Sequence, residues 1–170
     1  SFLALWLNNN LGIKVSEVRI VPDVESKIVK NVLSLSKSND YVLTTGGIGP
    51  THDVITSKSI SKAFKKKYIF HKEAYNILQK YYGNKNFNDP RKKMAKMPSG
   101  SKLIYNPSSA APGFMIKNVI CLPGVPSILK SMVDNLKNYM SPGLKTHSST
   151  VSVETIESNI AKGLEKIQIK

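Results

Sequence analysis

Apolar residues recur along the chain at two spacings. Phe2 and Trp6 belong to a run at helical spacing and Gly12 is a natural C-terminal stop, so the sequence predicts a helix at its start. A second apolar stripe, within residues 28–33, predicts a helix capped by Asp23. Start and stop signals of the same kind predict further helices over residues 56–64, 71–82 and 127–140. We also expect a short helix that begins at residue 89 and ends before residue 98, and a helix that begins at about residue 155.

Strand-forming residues fill much of the chain between these helices. Runs of β-branched and aromatic residues predict strands over residues 15–21, 41–45, 102–105, 113–117 and 119–122. Strands that alternate with helices indicate an α/β fold with a mainly parallel sheet covered by helices on both faces. Such sheets bind ligands at the carboxyl ends of their strands. We therefore expect the site in the loops that follow residues 45 and 122.

Length and composition suit one domain with a short appendage. The chain has 170 residues, and its 41% hydrophobic content is enough for a core around a central sheet. We divide it into a domain over residues 1–143 and a strand-helix extension over residues 144–170. No apolar run reaches the roughly 20 residues that cross a bilayer, and no basic leader opens the chain, so we expect a cytoplasmic protein that makes no membrane contact.

The net charge of +14 is compatible with a nucleic acid, an anionic membrane or an acidic ligand. The lysines are scattered, with short clusters at residues 65–67 and 91–93, and no aromatic residues alternate with them to stack bases. We interpret the charge as a solvated surface without a specific nucleic-acid site. The single cysteine, Cys121, lies in an apolar run and is expected to be a buried strand residue.

The stretch 44–51, TTGGIGPT, is the strongest candidate for binding chemistry. Its three glycines lack a Cβ, so the backbone can adopt a positive φ and bring its N–H groups close to an anion. The following helix would add the positive end of its dipole, and threonine hydroxyls could donate to phosphate oxygens. The alternative is a tight turn without a ligand. The stretch is neither a Walker loop nor a dinucleotide fingerprint.

Asp53 and the second loop complete the candidate site. A carboxylate beside phosphates suits a divalent metal, so Asp53 is the candidate metal ligand and catalytic residue, with a helix N-cap as the equal alternative. His52 lacks a carboxylate to orient it and is a weak candidate base. Residues 123–126 form a rigid turn beside the glycine loop, and Ser127 is a candidate cap. The predicted ligand-binding residues are Thr45, Gly46, Gly47, Gly49, Thr51, Thr56, Pro123, Gly124, Pro126 and Ser127.

Four ordered motifs resemble one family. They are TTGGIGPTHD at 44–53, RKKMA at 91–95 with Pro98, NP with APGF at 106–114, and LPGVP at 122–126. Together they resemble the molybdopterin-binding domain family, and more closely its competence/damage-inducible protein A (CinA) branch. The chain is also similar to the amino-terminal part of eukaryotic FAD synthases. The resemblance spans nearly the whole chain.

The resemblance implies a three-layer α/β/α fold with a pocket between the glycine loop and the Pro-Gly-x-Pro loop. It implies a phosphorylated ligand, either molybdopterin or an adenine nucleotide. The branch includes proteins credited with hydrolysing ADP-ribose or related dinucleotides with a divalent metal, so a nucleotide pyrophosphatase using Mg²⁺, Mn²⁺ or Co²⁺ is implied. Relatives are commonly oligomeric, which implies a homo-oligomer.

The sequence departs from the family pattern in two places that bear on activity. The family usually begins with a strand and a Gly-x-Glu loop, which this sequence does not show before its first helix. Relatives commonly carry two consecutive acidic residues where this chain has Asp53-Val54. Val54 therefore favours an alternative hypothesis, a ligand-binding or assembly module with weakened catalysis. The deamidase domain at the end of longer relatives is not carried over.

Overall fold

A computed structural model of the chain describes residues 2–51, 55–144 and 149–168. These residues form helices packed around a four-stranded sheet, with a separate two-stranded sheet. The elements are α1 (Phe2–Leu11), α2 (Glu25–Ser38), β1 (Val42–Thr45), α3 (Thr56–Ala63), β2 (Tyr68–Phe70), α4 (Lys72–Asn86), α5 (Asp89–Lys93), β3 (Lys96–Pro98), β4 (Lys102–Ile104), β5 (Gly113–Ile116), β6 (Val119–Leu122), α6 (Pro126–Met132), a 3₁₀ helix (Val133–Asn138) and α7 (Glu157–Gln168).

The four-stranded sheet has the order β1-β6-β5-β4. β1 and β6 are parallel, whereas β6–β5 and β5–β4 are antiparallel. The predicted α/β class with a central sheet flanked by helices is confirmed, but the described sheet is mixed rather than mainly parallel. The reason is the length of the connections between strands. Parallel neighbours need a crossover of a dozen or more residues, whereas only Lys117 and Asn118 join β5 to β6.

Two apolar clusters, one on each face of the sheet, make the three layers. In β6 the successive side chains divide between them: Val119 and Cys121 join the cluster beneath α2, α3 and α4, while Ile120 and Leu122 join the one beneath α1 and the 3₁₀ helix. All four are fully buried. Because side chains alternate along a strand, a strand that is apolar at every position must lie between two layers.

Several helix boundaries follow from the sequence, but the predicted cap of α2 is wrong. Gly12 ends α1 with a φ of 64°, and its N–H donates to the Asn8 carbonyl at 3.0 Å, as the predicted stop requires. α2 has Val24 at its N-cap without a side-chain hydrogen bond, so Asp23 does not cap it. At the start of α4, His71 is the N-cap residue, and its Nδ1 accepts from the Ala74 N–H at 3.4 Å.

Three regions differ from the predicted elements. Residues 15–21 form no strand, and Val18 and Ile20 are 78% and 100% exposed. β2 and β3, which pair antiparallel, were not predicted. α4 runs beyond Tyr82 to Asn86 through a kink at Gly83, whose φ is 68°.

None of the described helices is long and apolar enough to span a bilayer.

Candidate functional site

The two loops that were predicted to form the site lie side by side. Because β1 and β6 are parallel, Thr45 and Leu122 pair at the same edge of the sheet. The Gly46 N–H donates to the Leu122 carbonyl at 2.9 Å, which extends the ladder into the glycine loop. A Cβ on Gly124 would lie 3.0 Å from the Gly46 Cα, so the loops meet through bare backbone. Gly124 is needed for this close approach.

The glycine loop adopts the backbone conformation that its composition predicts. Gly46 and Gly47 have φ values of 92° and 66°, in the region that favours glycine. The Gly47 backbone packs against Thr56, the first residue of α3, so closely that a Cβ on Gly47 would lie 1.8 Å from the Thr56 Oγ1. Thr56 is buried. It therefore positions the loop against α3.

A cavity of about 1400 Å³ opens between these loops and continues along the outer edge of β1. Gly46, Gly47, Thr56 and Gly124 line its polar end. Its apolar walls come from the two helix layers and include Leu7, Ile28, Val32, Leu129 and Met140. No strand among the described residues pairs with this edge of β1, and the segment containing Val15, Val18 and Val21 lines the cavity as well.

Of the other candidate residues, Thr45 and Pro126 line the cavity, whereas Gly49, Thr51, Pro123 and Ser127 do not. Thr45, Thr51, Pro126 and Ser127 are exposed, and Gly49 and Pro123 are half-buried. Ser127 is not a helix cap, because α6 begins at Pro126 after Val125 at the N-cap, where no side-chain cap bond is made. Its hydroxyl therefore has no capping role.

The proposed metal ligand lies outside the described residues, as do His52 and Val54. α3 begins at Thr56 and its N-cap position is Ile55, so Asp53 does not occupy that position. Both interpretations of Asp53, helix capping and metal binding, stay predictions. Among the described residues no group of three or more His, Cys, Asp or Glu side chains could hold a metal ion.

Sequence reasoning missed two residues that shape the site. Lys93, at the end of α5, donates from Nζ to the Thr51 carbonyl at 3.1 Å and so reaches the glycine loop. The buried Asn106 organises the loop before β5: its Nδ2 donates to the Ala111 carbonyl at 2.9 Å, and its Oδ1 accepts from the Ser108 N–H at 2.9 Å. Asparagine before proline signals a turn, but not these contacts.

Three residues near the site have structural roles. A Cβ on Gly113 would lie 2.5 Å from the Cys121 carbonyl oxygen, so this glycine lets β5 approach β6 rather than a ligand. Phe114 is buried in the core, as predicted. Burial raises the pKa of the Cys121 thiol to about 12, and the opposing effect of the Thr44 hydroxyl is smaller. The thiol therefore stays protonated and is no nucleophile at neutral pH.

Comparison with known families decides the family of this chain. The family model described as "Probable molybdopterin binding domain" matches residues 1–144. The chain belongs to this family. The molybdopterin-binding domain thus includes both loops, the cavity and α5, and the match ends where the predicted extension begins.

Relatives of the molybdopterin-binding domain agree with this assignment. The chain is 33% identical over 156 residues to a protein of Archaeoglobus fulgidus. The aligned region covers 92% of this chain and 66% of that protein. It is 31% identical over 169 residues to a protein of Alkaliphilus metalliredigens named competence-damage inducible protein, with 94% of this chain and 40% of that protein covered. A third or more of each relative's length thus lies outside the match.

A solved structure shows the same fold. The crystal structure of the protein CinA, with unknown function, from Thermoplasma acidophilum superposes with a TM-score of 0.64 at 30% identity. The match covers 69% of this chain and 72% of that one. The relatives and this structure support the CinA branch that the motifs indicate.

Proposed function

We propose that this molybdopterin-binding-type domain binds a phosphorylated pterin or an adenine nucleotide, with a phosphate against residues 44–51. The observation that carries the proposal is the meeting of Gly46, Gly47 and Gly124 at the polar end of the cavity. Backbone N–H groups approach an anion closely where no Cβ intervenes, and the start of α3 adds a favourable dipole. We expect the loop to contribute backbone N–H groups other than that of Gly46, which is already bonded to the Leu122 carbonyl.

The remainder of the cavity suits the ring system of such a ligand. Ligand sites are commonly about 300–1,000 Å³, and the cavity here reaches about 1400 Å³ with apolar walls from both helix layers. Thr45 lines the cavity, and its exposed hydroxyl can donate to a phosphate or ribose oxygen. We expect the exposed hydroxyls of Thr51 and Ser127 to donate from outside the cavity lining. Residues 123–126 would form the opposite wall.

A divalent metal fits the donor set in one arrangement. Mg²⁺ typically keeps several waters and binds one or two carboxylates together with substrate phosphates. A single carboxylate from Asp53, together with the phosphates of the ligand, would meet that requirement. Such a site needs no cluster of acidic residues, and the described residues contain no cluster that could hold a metal ion. When bound, Mg²⁺, Mn²⁺ or Co²⁺ would neutralise phosphate charge and hold a water for hydrolysis. Asp53 would then be the residue on which pyrophosphatase activity depends.

The second candidate function is a ligand-binding or assembly module with weakened catalysis. Val54 favours it, because one carboxylate supplies fewer oxygen ligands and half the charge of two. If the missing group acts mainly in the transition state, its loss lowers the rate with little effect on affinity. A homo-oligomer belongs to this proposal as well, and sedimentation measures it.

A thermal-shift screen of ADP-ribose, FAD, ATP and molybdopterin, with and without Mg²⁺, Mn²⁺ or Co²⁺, tests the binding proposal. A ligand at about 100 times its Kd stabilises by roughly 2.7 kcal/mol, which raises the Tm by about 5–10 °C for a chain of this size. Sodium chloride at matched ionic strength is the control for a simple ionic effect. No shift with any of the four ligands would refute the proposal.

A variant series separates the two candidate functions. We expect slow hydrolysis of ADP-ribose by the unmodified chain, loss of that activity in Asp53→Ala, and a metal-dependent gain in Val54→Asp. Asp134→Ala is the matched control, because this exposed carboxylate on the 3₁₀ helix does not line the cavity. Rapid metal-dependent turnover that survives Asp53→Ala would show that the chemistry lies on other residues.

A further inference from the structure

The three consecutive basic residues of α5 have different environments. The Arg91 guanidinium stacks on the ring of Tyr82, in α4, at 4.2 Å. Lys92 pairs with Asp89, with 2.9 Å between Nζ and Oδ1. Lys93 extends in another direction and donates to the Thr51 carbonyl, 42 residues earlier in the chain. Of these three cations, Lys93 is the one that contacts the glycine loop.

Packing on both sides of Lys93 fixes the place of its ammonium group. Asn88 caps α5, and its side chain accepts from the Arg91 N–H at 3.2 Å. Met94 and Ala95, which follow Lys93 directly, are buried at 8% and 0% exposure. The side chain is itself only partly exposed. Lys93 is therefore held at the loop by its helix rather than extended into solvent.

The glycine loop needs a cation from elsewhere in the chain. Residues 44–51 contain no charged side chain, so their donors are neutral hydroxyls and backbone N–H groups. Hydrogen bonds to a phosphate are stronger when the donor is itself charged. An ammonium has three N–H donors in a compact arrangement, so its geometry allows it to contact the Thr51 carbonyl and a phosphate oxygen together.

We propose that Lys93 binds the phosphate of the ligand at the glycine loop and so makes the site selective for anionic ligands. The inference rests on the proposed function and adds to it a binding residue from a separate helix. Lys93 supplies the full positive charge, while the glycine backbone supplies the shape.

The test measures the affinity for ADP-ribose and, in parallel, for molybdopterin by calorimetry at about 50 and about 200 mM salt. The variants are Lys93→Met, Lys93→Arg and the matched control Lys92→Met, whose charge lies one residue away and faces Asp89. We expect Lys93→Met to weaken binding about 10-fold to 100-fold, the range for a hydrogen bond to a charged group. Lys93→Arg should retain most of the affinity, and Lys92→Met should match the unmodified chain.

The salt dependence distinguishes charge from simple support of the loop. If Lys93 neutralises the phosphate, Lys93→Met also shows a flatter fall of affinity with salt. Equal affinity in Lys93→Met and Lys92→Met would overturn the inference. A second result would also overturn the inference: a loss of affinity in Lys93→Met that leaves the salt dependence unchanged and that also occurs in Lys93→Arg. Lys93 would then only support the loop. Failure of the unmodified chain to bind either ligand would refute the proposed function and this inference with it.

Discussion

Gly46 and Gly47 are neighbours with similar backbone angles, yet a side chain would have different effects at the two positions. A Cβ on Gly47 would overlap the Thr56 Oγ1, at 1.8 Å, and disturb the start of α3. A Cβ on Gly46 would meet nothing within 4 Å except the Gly124 Cα, at 3.9 Å. A change at Gly47 therefore damages the fold as well as the site, whereas a change at Gly46 acts on the space between the loops.

Gly46→Ala should lower ligand affinity without unfolding the domain. The matched control is Gly100→Ala, because Gly100 also has a positive φ, 82°, and open space around it. We expect each variant to lose about 1–2 kcal/mol of unfolding free energy, the cost of a left-handed backbone for alanine. Only Gly46→Ala should weaken ADP-ribose binding, by about tenfold or roughly 1.4 kcal/mol. Urea unfolding and calorimetry give both quantities, and equal affinities would contradict the assignment of the loop.

Cys121 should make stability depend on pH above about 9. Burial raises the pKa of its thiol to about 12 in the fold, whereas the unfolded thiol ionises near about 8.5. Between these values the unfolded chain binds fewer protons, so the unfolding free energy falls as the pH rises, by roughly 1.4 kcal/mol per pH unit. Cys121→Ala removes this contribution. The difference in unfolding free energy between the two proteins, measured from pH 8 to 11, should change with pH; a constant difference would contradict the prediction.

At the scale of elements, the central strands were predictable because a short run of apolar residues favours a strand buried between two layers. The strand Val119–Leu122 is apolar at every position and lies between two layers. Residues 15–21 also contain several β-branched residues, but they form no strand. A strand needs a hydrogen-bonding partner, and this segment and β1 both line the cavity of about 1400 Å³ without pairing across it. Composition predicts a tendency to form strands, not the presence of a neighbour.

The smaller sheet was missed for a different reason. β2 and β3 have three residues each, and β3 contains Lys96 and Pro98, which are uncommon in strands. Alternation cannot be recognised over three positions. The pairing depends on tertiary packing, in which Met97 is buried against the same cluster as α3.

The candidate site was partly predictable for the same reasons. Both loops follow inner strands, so their meeting at one edge of the sheet follows from topology. Lys93 could not be found in this way, because its contact with Thr51 spans 42 residues and depends on how α5 packs. Local patterns identify the loops of a site, whereas side chains from distant helices require the fold.

Asn118 should be the main link between α2 and the sheet, far from the site. Its Oδ1 accepts from the Ser36 Oγ at 2.6 Å, and its Nδ2 donates to the carbonyls of Ser36 and Asn39 at 3.0 and 2.9 Å. We expect Asn118→Ala to lower the unfolding free energy by about 2–3 kcal/mol, because partners are left unsatisfied. The exposed Asn76→Ala is the control. Ligand affinity should not change in either variant, and a loss of affinity in Asn118→Ala would contradict a purely structural role.

For the whole molecule, the positive charge is spread over the surface and covers aromatic rings. Several lysine ammonium groups lie above a ring, which suits a cation–π contact. The pairs are Lys96 over Phe70 at 4.6 Å, Lys117 over Phe64 at 4.9 Å, Lys130 over Phe2 at 5.4 Å and Lys137 over Trp6 at 5.6 Å. Proteins that bind single strands instead present open rings on which bases stack. In the described part of the chain, these rings are already in contact with lysines.

We therefore expect the net charge of +14 to give only non-specific attraction to nucleic acids. Contacts with phosphates alone weaken steeply with salt, so affinity for a 20-mer duplex should fall by orders of magnitude between about 50 and about 200 mM salt. Single strands should bind no more tightly than duplexes, because four of the aromatic rings already contact lysine ammonium groups. Fluorescence anisotropy with duplexes and single strands of several sequences measures both effects. ADP-ribose should not displace the nucleic acid, since the glycine loop is not involved. Tight, sequence-selective binding near physiological salt would instead assign the charge to a nucleic-acid partner.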